Sequence, residues 1–165
     1  MRLSSMADYA VVIMSAAARH GGAGPAGGAD GPARERVSAA QLASETGLPT
    51  ATVQKLVSRL SAAGLLRAVR GAGGGLKLAR PAATITLAEV VEAIEGPIAL
   101  TACVEHGRHD CSLAAGCSLR PHWGAVNQAL RGALAAVPLS QLAAPPALAV
   151  ASPMPASLEA NGHLP

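Results

Sequence analysis

With 165 residues, half of them hydrophobic but with no Phe and only one Tyr and one Trp, the chain has room for one domain with appendages, and its core must be aliphatic. The formal charge of +3 combines +6 over residues 1–80 with −3 over residues 81–165, so the first half carries the electrostatic footprint of a polyanion binder. No apolar run reaches the ~20 residues of a membrane span and no secretory cleavage pattern follows Ala10–Ala18, so a cytoplasmic protein with no membrane partner is expected.

Met1–Arg19 reads as a first helix, capped by Ser4 or Ser5, with Met6, Tyr9, Ala10, Ile13, Met14 and Ala17 as one apolar stripe. Asp8 falls in its first turn, where a carboxylate suits the helix dipole. Residues 20–36 hold six Gly and two Pro and read as a flexible surface loop. In Val37–Gly64, Ser38 and Gln41 form a capping-box pattern, Gly47 ends a helix, and Thr50 can cap the next one. That second helix has Val53, Leu56, Val57 and Leu60 on one face and Thr50, Thr52, Gln54, Lys55, Ser58 and Arg59 on the other. Any amphipathic hairpin shares this periodicity, but the short turn and the donor-rich face fit a helix-turn-helix whose second helix enters a major groove. Leu65–Arg70 and Leu76–Arg80 then read as two strands around the glycine tip 71–75, flanked by Arg67, Arg70, Lys77 and Arg80. Glycine brings backbone N–H groups close to a ligand, and arginine suits phosphate or a narrow minor groove. A nucleotide-phosphate loop is disfavoured, because the Gly-x-x-x-x-Gly-Lys-Ser/Thr pattern is absent.

Thr86–Glu95 is a further helix with a capping box at Thr86 and Glu89 and a stop at Gly96-Pro97. All three cysteines follow within fifteen residues, at Cys103, Cys111 and Cys117, with His106 and His109 between the first two and His122 after the third. An odd number of clustered cysteines in a cytoplasmic chain reads as metal ligands rather than a disulfide framework. Thiolates suit zinc or iron–sulfur clusters, and imidazole can complete either site. Pro121 opens a last helix in which Trp123, Leu130 and Val137 recur every seven residues, a seam suited to a partner helix, with packing on its own domain as the alternative. Pro138 ends that helix, and Ala144–Pro165 is Pro/Ala-rich and reads as a disordered tail.

Three segments resemble one bacterial family. Met1-Arg2-Leu3-Ser4 with Asp8-Tyr9-Ala10, the run Val69–Ala79, and Thr86–Val90 through Glu95-Gly96-Pro97 are similar to the winged-helix regulators that carry iron–sulfur clusters (the IscR, NsrR and RirA type). Ala99–Glu105 with Trp123 and Asn127 look most like the SUF-system assembly regulators within it. The resemblance implies a mainly α, winged helix-turn-helix fold with a small β-hairpin wing and a long C-terminal dimerisation helix. It divides the chain into a DNA-binding domain at 1–97, a cluster loop at 98–120, a dimerisation helix at 121–140 and a tail at 141–165. It further implies a homodimeric repressor of iron–sulfur assembly genes that binds double-stranded operator DNA, takes no small-molecule substrate and is not an enzyme. The alternative within the family is a nitric-oxide- or iron-responsive repressor.

Carried over, Cys103, Cys111 and Cys117 hold the cluster, with [2Fe-2S] placed ahead of [4Fe-4S]. Seven residues separate the first two cysteines where the best-known members have five. Where one branch places a histidine ligand this chain has Arg120; another branch uses an Asp near the start of the partner subunit's first helix, a position that Asp8 matches, so the resemblance ranks Asp8 from the partner subunit first as fourth ligand, then His122, then His106 or His109. On the DNA side, Lys55 and Arg59 are expected at phosphates or guanine edges, with Thr50, Thr52, Gln54 and Ser58 beside them. Arg70, Gly71, Gly73, Gly74 and Lys77 form the wing contact. Rival readings are a winged helix with a structural Cys₃His zinc and a metal-storage or electron-transfer protein, which leaves the recognition helix without work.

Overall fold

A computed structural model of the chain describes residues 3–21, 36–69, 71, 74–101, 104 and 116–144. Within them lie six α-helices and one hairpin: α1 (Ser5–His20), α2 (Ala39–Thr46), α3 (Thr50–Ala62), β1 (Leu66–Val69), β2 (Gly75–Leu78), α4 (Leu87–Glu95), α5 (Arg120–Ala135) and α6 (Leu139–Ala143). A 3-10 turn at Ala82–Thr84 precedes α4. Among the described residues no helix is long and apolar enough to cross a membrane. The mainly helical winged-helix architecture expected from the sequence is the one observed.

The core is wrapped around α1. Ser4 caps it, its hydroxyl accepting from the Ala7 N–H at 3.2 Å. Its first half buries one stripe, but the whole run Ile13–Ala18 is buried, because α2, α3, α4 and α6 all pack on it. Alanine at 16, 17 and 18 permits that approach from several sides, a wider burial than the expected single stripe. At its end His20 meets Glu45 of α2 at 2.6 Å.

The helix-turn-helix forms for local reasons. Ser38 Oγ accepts from Gln41 N at 3.1 Å and Gln41 Oε1 accepts from Ser38 N at 2.8 Å. Gly47, at φ 69°, takes the left-handed conformation that turns the chain toward α3. The expected cap at Thr50 is not used: α3 begins one residue sooner, with Pro49 in the cap position and Val53 N donating to Pro49 O at 3.0 Å. Proline's fixed φ is already suited to that position.

In the wing, Leu66 pairs with Leu78, Arg67 with Lys77, Ala68 with Leu76 and Val69 with Gly75, antiparallel. Leu66, Leu76 and Leu78 turn to the core and Arg67 to solvent, β2 alternating as a half-buried strand does while β1 opens to solvent at Ala68. Val37, just ahead of the Ser38 cap, is a third extended segment that the sequence did not announce: its N–H and C=O bond Leu76 at 3.1 and 2.8 Å. Gly75 permits this pairing. A Cβ there would lie 3.0 Å from the Arg36 Cβ and 3.2 Å from the Val37 carbonyl oxygen.

Ahead of α4, Thr86 and Glu89 form the expected capping box, and Arg80 Nη2 reaches Glu89 Oε1 at 2.7 Å. Burial pushes the Glu89 carboxyl up, but the bonds from Thr86 and Arg80 together outweigh it and hold it below its ordinary value of 4.5. A carboxylate with a depressed folded pKa stabilises the fold above its unfolded pKa, and that contribution is lost as pH falls through the folded value. Glu89→Gln is therefore expected to flatten the stability–pH curve below about 4.5, read by urea denaturation at stepped pH. A variant with the wild-type acid slope would show that Glu89 does not carry this dependence.

The segment before α4 is bracketed by the chain's later part. Leu87 N donates to Val137 O at 2.9 Å and Leu139 N to Ile85 O at 2.8 Å. This seats α6 on α1, with Leu139 and Ala143 buried, so the core reaches to residue 143, past the tail boundary expected at 141. A second, smaller apolar cluster joins the other face of α4 (Ala88, Val91) and Ile98 to Leu130, Leu134 and Ala135 of α5.

Candidate nucleic-acid interface and cysteine segment

On α3, Val53, Leu56 and Leu60 are fully buried, which turns Thr50, Gln54, Lys55 and Ser58 to solvent, with Thr52 half-buried at the edge. These are the donor-bearing residues expected to face a duplex, and the structure brings them onto one exposed helix surface. Arg59 stands apart. Its Nη1 donates to the carbonyl oxygen of Ile94, in the last turn of α4, at 3.2 Å.

The wing follows directly on α3. Gly71 has φ 102° and its carbonyl accepts from Gly74 N at 2.7 Å, a tight turn that a side chain at 71 would strain. Gly71 and Gly74 are exposed, while Lys77 is half-buried on β2 opposite Arg67. Arg70 and Gly73 lie outside the described residues. The exposed Arg67 is a cation on this hairpin that sequence reasoning noted at its flank but did not assign to the contact surface.

Of the expected metal ligands, Cys103, Cys111, His106 and His109 lie outside the described residues. Cys117 is a free, half-buried thiol whose carbonyl accepts from Arg120 N at 3.4 Å, three residues ahead of α5. His122 is exposed in the first turn of α5 and Asp8 exposed in the first turn of α1. Among the described residues no three of His, Cys, Asp and Glu gather in a way that could hold a metal ion.

The approach to the cysteines is held by residues that periodicity could not single out. Asn127 of α5 grips the extended chain at both ends of a two-residue step: its Nδ2 donates to Ile98 O at 2.8 Å and its Oδ1 accepts from Leu100 N at 3.1 Å. Arg131, one turn further, donates through Nε and Nη2 to both oxygens of Glu92 at 2.8 and 3.1 Å. The available signal for Asn127 was an amide in the middle of an otherwise apolar helix stripe. On α5, Leu130 of the expected partner seam packs within its own chain against α4, Trp123 is half-exposed, and no α5 residue is fully buried. Val126, 47% exposed, lies on the uncovered side.

The family model described as "Rrf2: Iron-dependent Transcriptional regulator" matches residues 3–145. An "HTH-type transcriptional regulator IscR" from Photobacterium profundum is 32% identical over 142 residues, spanning 86% of this chain and 75% of that protein. Among solved structures, CymR (YrzC), the global cysteine regulator of B. subtilis, superposes with a TM-score of 0.61 at 27% identity over 87% of this chain and 96% of its own. T. potens IscR gives 0.58 at 25% identity, over 86% of this chain and 85% of its own.

Proposed function

We propose that this chain, which belongs to the Rrf2 family of transcriptional regulators, is a homodimeric repressor that reads operator DNA through α3 and the wing and senses iron–sulfur status through Cys103, Cys111 and Cys117. As a regulator it is not an enzyme: its work is binding. The observation that carries the reading is the exposed donor face of α3 on the same compact core whose α4 leads, through residues 96–100, into the cysteine segment. On this reading Lys55 meets phosphate, Gln54 and Ser58 present donors and acceptors to base edges, and the Gly71–Gly74 turn brings backbone close to the flanking groove.

Three soft thiolates within fifteen residues are a donor set that suits an iron–sulfur cluster, and the half-buried Cys117 stands where the segment joins α5. When bound, a cluster supplies a redox- and iron-sensitive tie among these cysteines, with Asp8 of the partner subunit or His122 as the fourth donor. The donor set is compatible with [2Fe-2S], and repression of SUF-type assembly genes follows if the cluster is both sensor and product signal.

Purification without oxygen, followed by visible absorbance and iron and sulfide counts, tests the sensor. A coloured protein with matching iron and sulfide supports it. A colourless protein with one zinc per chain replaces it by the structural Cys₃His site, because zinc is d¹⁰. The DNA side has its own test. Lys55→Met is expected to weaken binding to a duplex selected from random sequence and to lower the slope of log K against log salt by about 0.9, one phosphate neutralised fewer. An unchanged slope in fluorescence anisotropy across a salt series would remove Lys55 from the phosphate contacts.

A further inference from the structure

We infer that Arg59 is a positioning residue: it ties the recognition helix to the carboxyl end of α4, so that the setting of α3 follows the segment that leads to the cysteines. This goes beyond the proposed function, which places no residue between the DNA-reading face and the cysteine segment. Only its DNA measurement rests on that reading.

The helix wheel puts Arg59 at the side of α3 that faces α4. At about 100° per residue, the buried side of α3 is centred between Leu56, Val53 and Leu60, and Ser58 points almost directly away from it. Lys55 and Gln54 flank Ser58, whereas Arg59, though exposed, lies about 90° from the buried centre, at the side of the helix as Thr50 does on the opposite side. From there its Nη1 reaches Ile94 O at 3.2 Å, across 35 residues of sequence.

The end of α4 has need of such a partner. The last four carbonyls of a helix lack intrahelical donors, and the dipole there favours a cation. No basic residue lies in the last turn of α4; Glu92 and Glu95 do instead, which is unfavourable to the dipole. Arg59 therefore supplies from α3 both the missing donor and the missing positive charge. Next to it Ser4 N donates to Glu95 Oε1 at 2.7 Å, which binds the start of α1 to the same turn. Beyond Gly96, where the chain leaves the helix at φ 86°, Ile98 is buried and Asn127 holds residues 98–100. A continuous bonded path thus runs from α3 through Arg59 and Ile94 to the chain entering the cysteine segment, and on to α5.

Arg59→Met, which keeps most of the apolar stem and removes the charge and donors, separates this role from direct DNA contact. On the duplex selected by the wild-type protein, affinity is expected to fall about three- to ten-fold, the range of residues that act off a binding surface, with the salt slope unchanged. A slope lowered by about 0.9, as for Lys55→Met, would make Arg59 a phosphate contact and overturn the inference. Amide hydrogen exchange on the DNA-free protein gives the second reading. Exchange is expected to rise about ten-fold in peptides covering the last turn of α4 and the second half of α3, with the wing and α2 unaltered. Unchanged exchange at the end of α4, or a uniform rise throughout, would overturn it. If the wild-type protein selects no duplex, the DNA-binding reading fails while the exchange measurement still decides the link.

Discussion

Cys103→Ala and Cys117→Ala, each purified without oxygen, are expected to be colourless and to retain less than about a tenth of the wild-type iron, because loss of one thiolate from a three-cysteine donor set removes a bond the remaining ligands do not replace. The fold is expected to survive. Among the described residues the large fully buried side chains come from α1, α2, α3, α4 and α6 and from the segments around the wing and ahead of α4. The unfolding temperature of each variant should therefore match that of wild-type protein stripped of iron. Asp8→Ala and His122→Ala divide the fourth position. The true ligand's variant should shift the visible spectrum, and a carboxylate, the harder donor, should leave the cluster more persistent in its absence than a missing cysteine does. A Cys103→Ala protein with the full wild-type absorbance would sink the ligand assignment.

Leu56→Ala is expected to cost about 2–5 kcal/mol, the range for emptying a fully buried leucine site. Leu56 sits in the middle of α3 with no solvent exposure, between Val53 and Leu60, and the core around it is aliphatic, with no Phe anywhere in the chain to close over a hole. Against a total stability of about 5–15 kcal/mol for a domain of this kind, that is a large fraction. Urea denaturation should show the midpoint falling with m unchanged, and DNA affinity falling with it as α3 loosens. A loss below about 0.5 kcal/mol would mean that the buried side of α3 is packed less tightly than its full burial implies.

Features set within a few residues were legible in the sequence. Ser38 with Gln41, Thr86 with Glu89, and Gly47 each act on backbone no more than three positions away, so their residue types carry the message directly. The glycine tip between two alternating runs announced the hairpin for the same reason. What escaped was non-local. The extended pairing of Val37 was missed because its partner Leu76 lies thirty-nine positions away. The five residues of α6 are too few to display a period, and Pro138, a sound stop signal, concealed a helix starting just after it. Arg59 had the right chemistry for phosphate, and only the fold brings Ile94 O within its reach. Leu130 kept the heptad spacing of a partner seam while serving a cluster inside its own chain. Of the candidate site, the donor-bearing face of α3 was therefore readable as a surface, whereas the bonds made behind it by Arg59, Asn127 and Arg131 with Glu92 were not.

Because α6 lies against α1, the first and last described helices share one core, and Leu139 is as deeply enclosed as Ile13. Synthesis from the N-terminus delivers all three cysteines, the last at 117, before it delivers Leu139. The nascent chain thus presents its thiols while its core is still open along one side, and closure waits for residues 139–143 to emerge. The three cysteines are therefore made before the core that residues 139–143 complete.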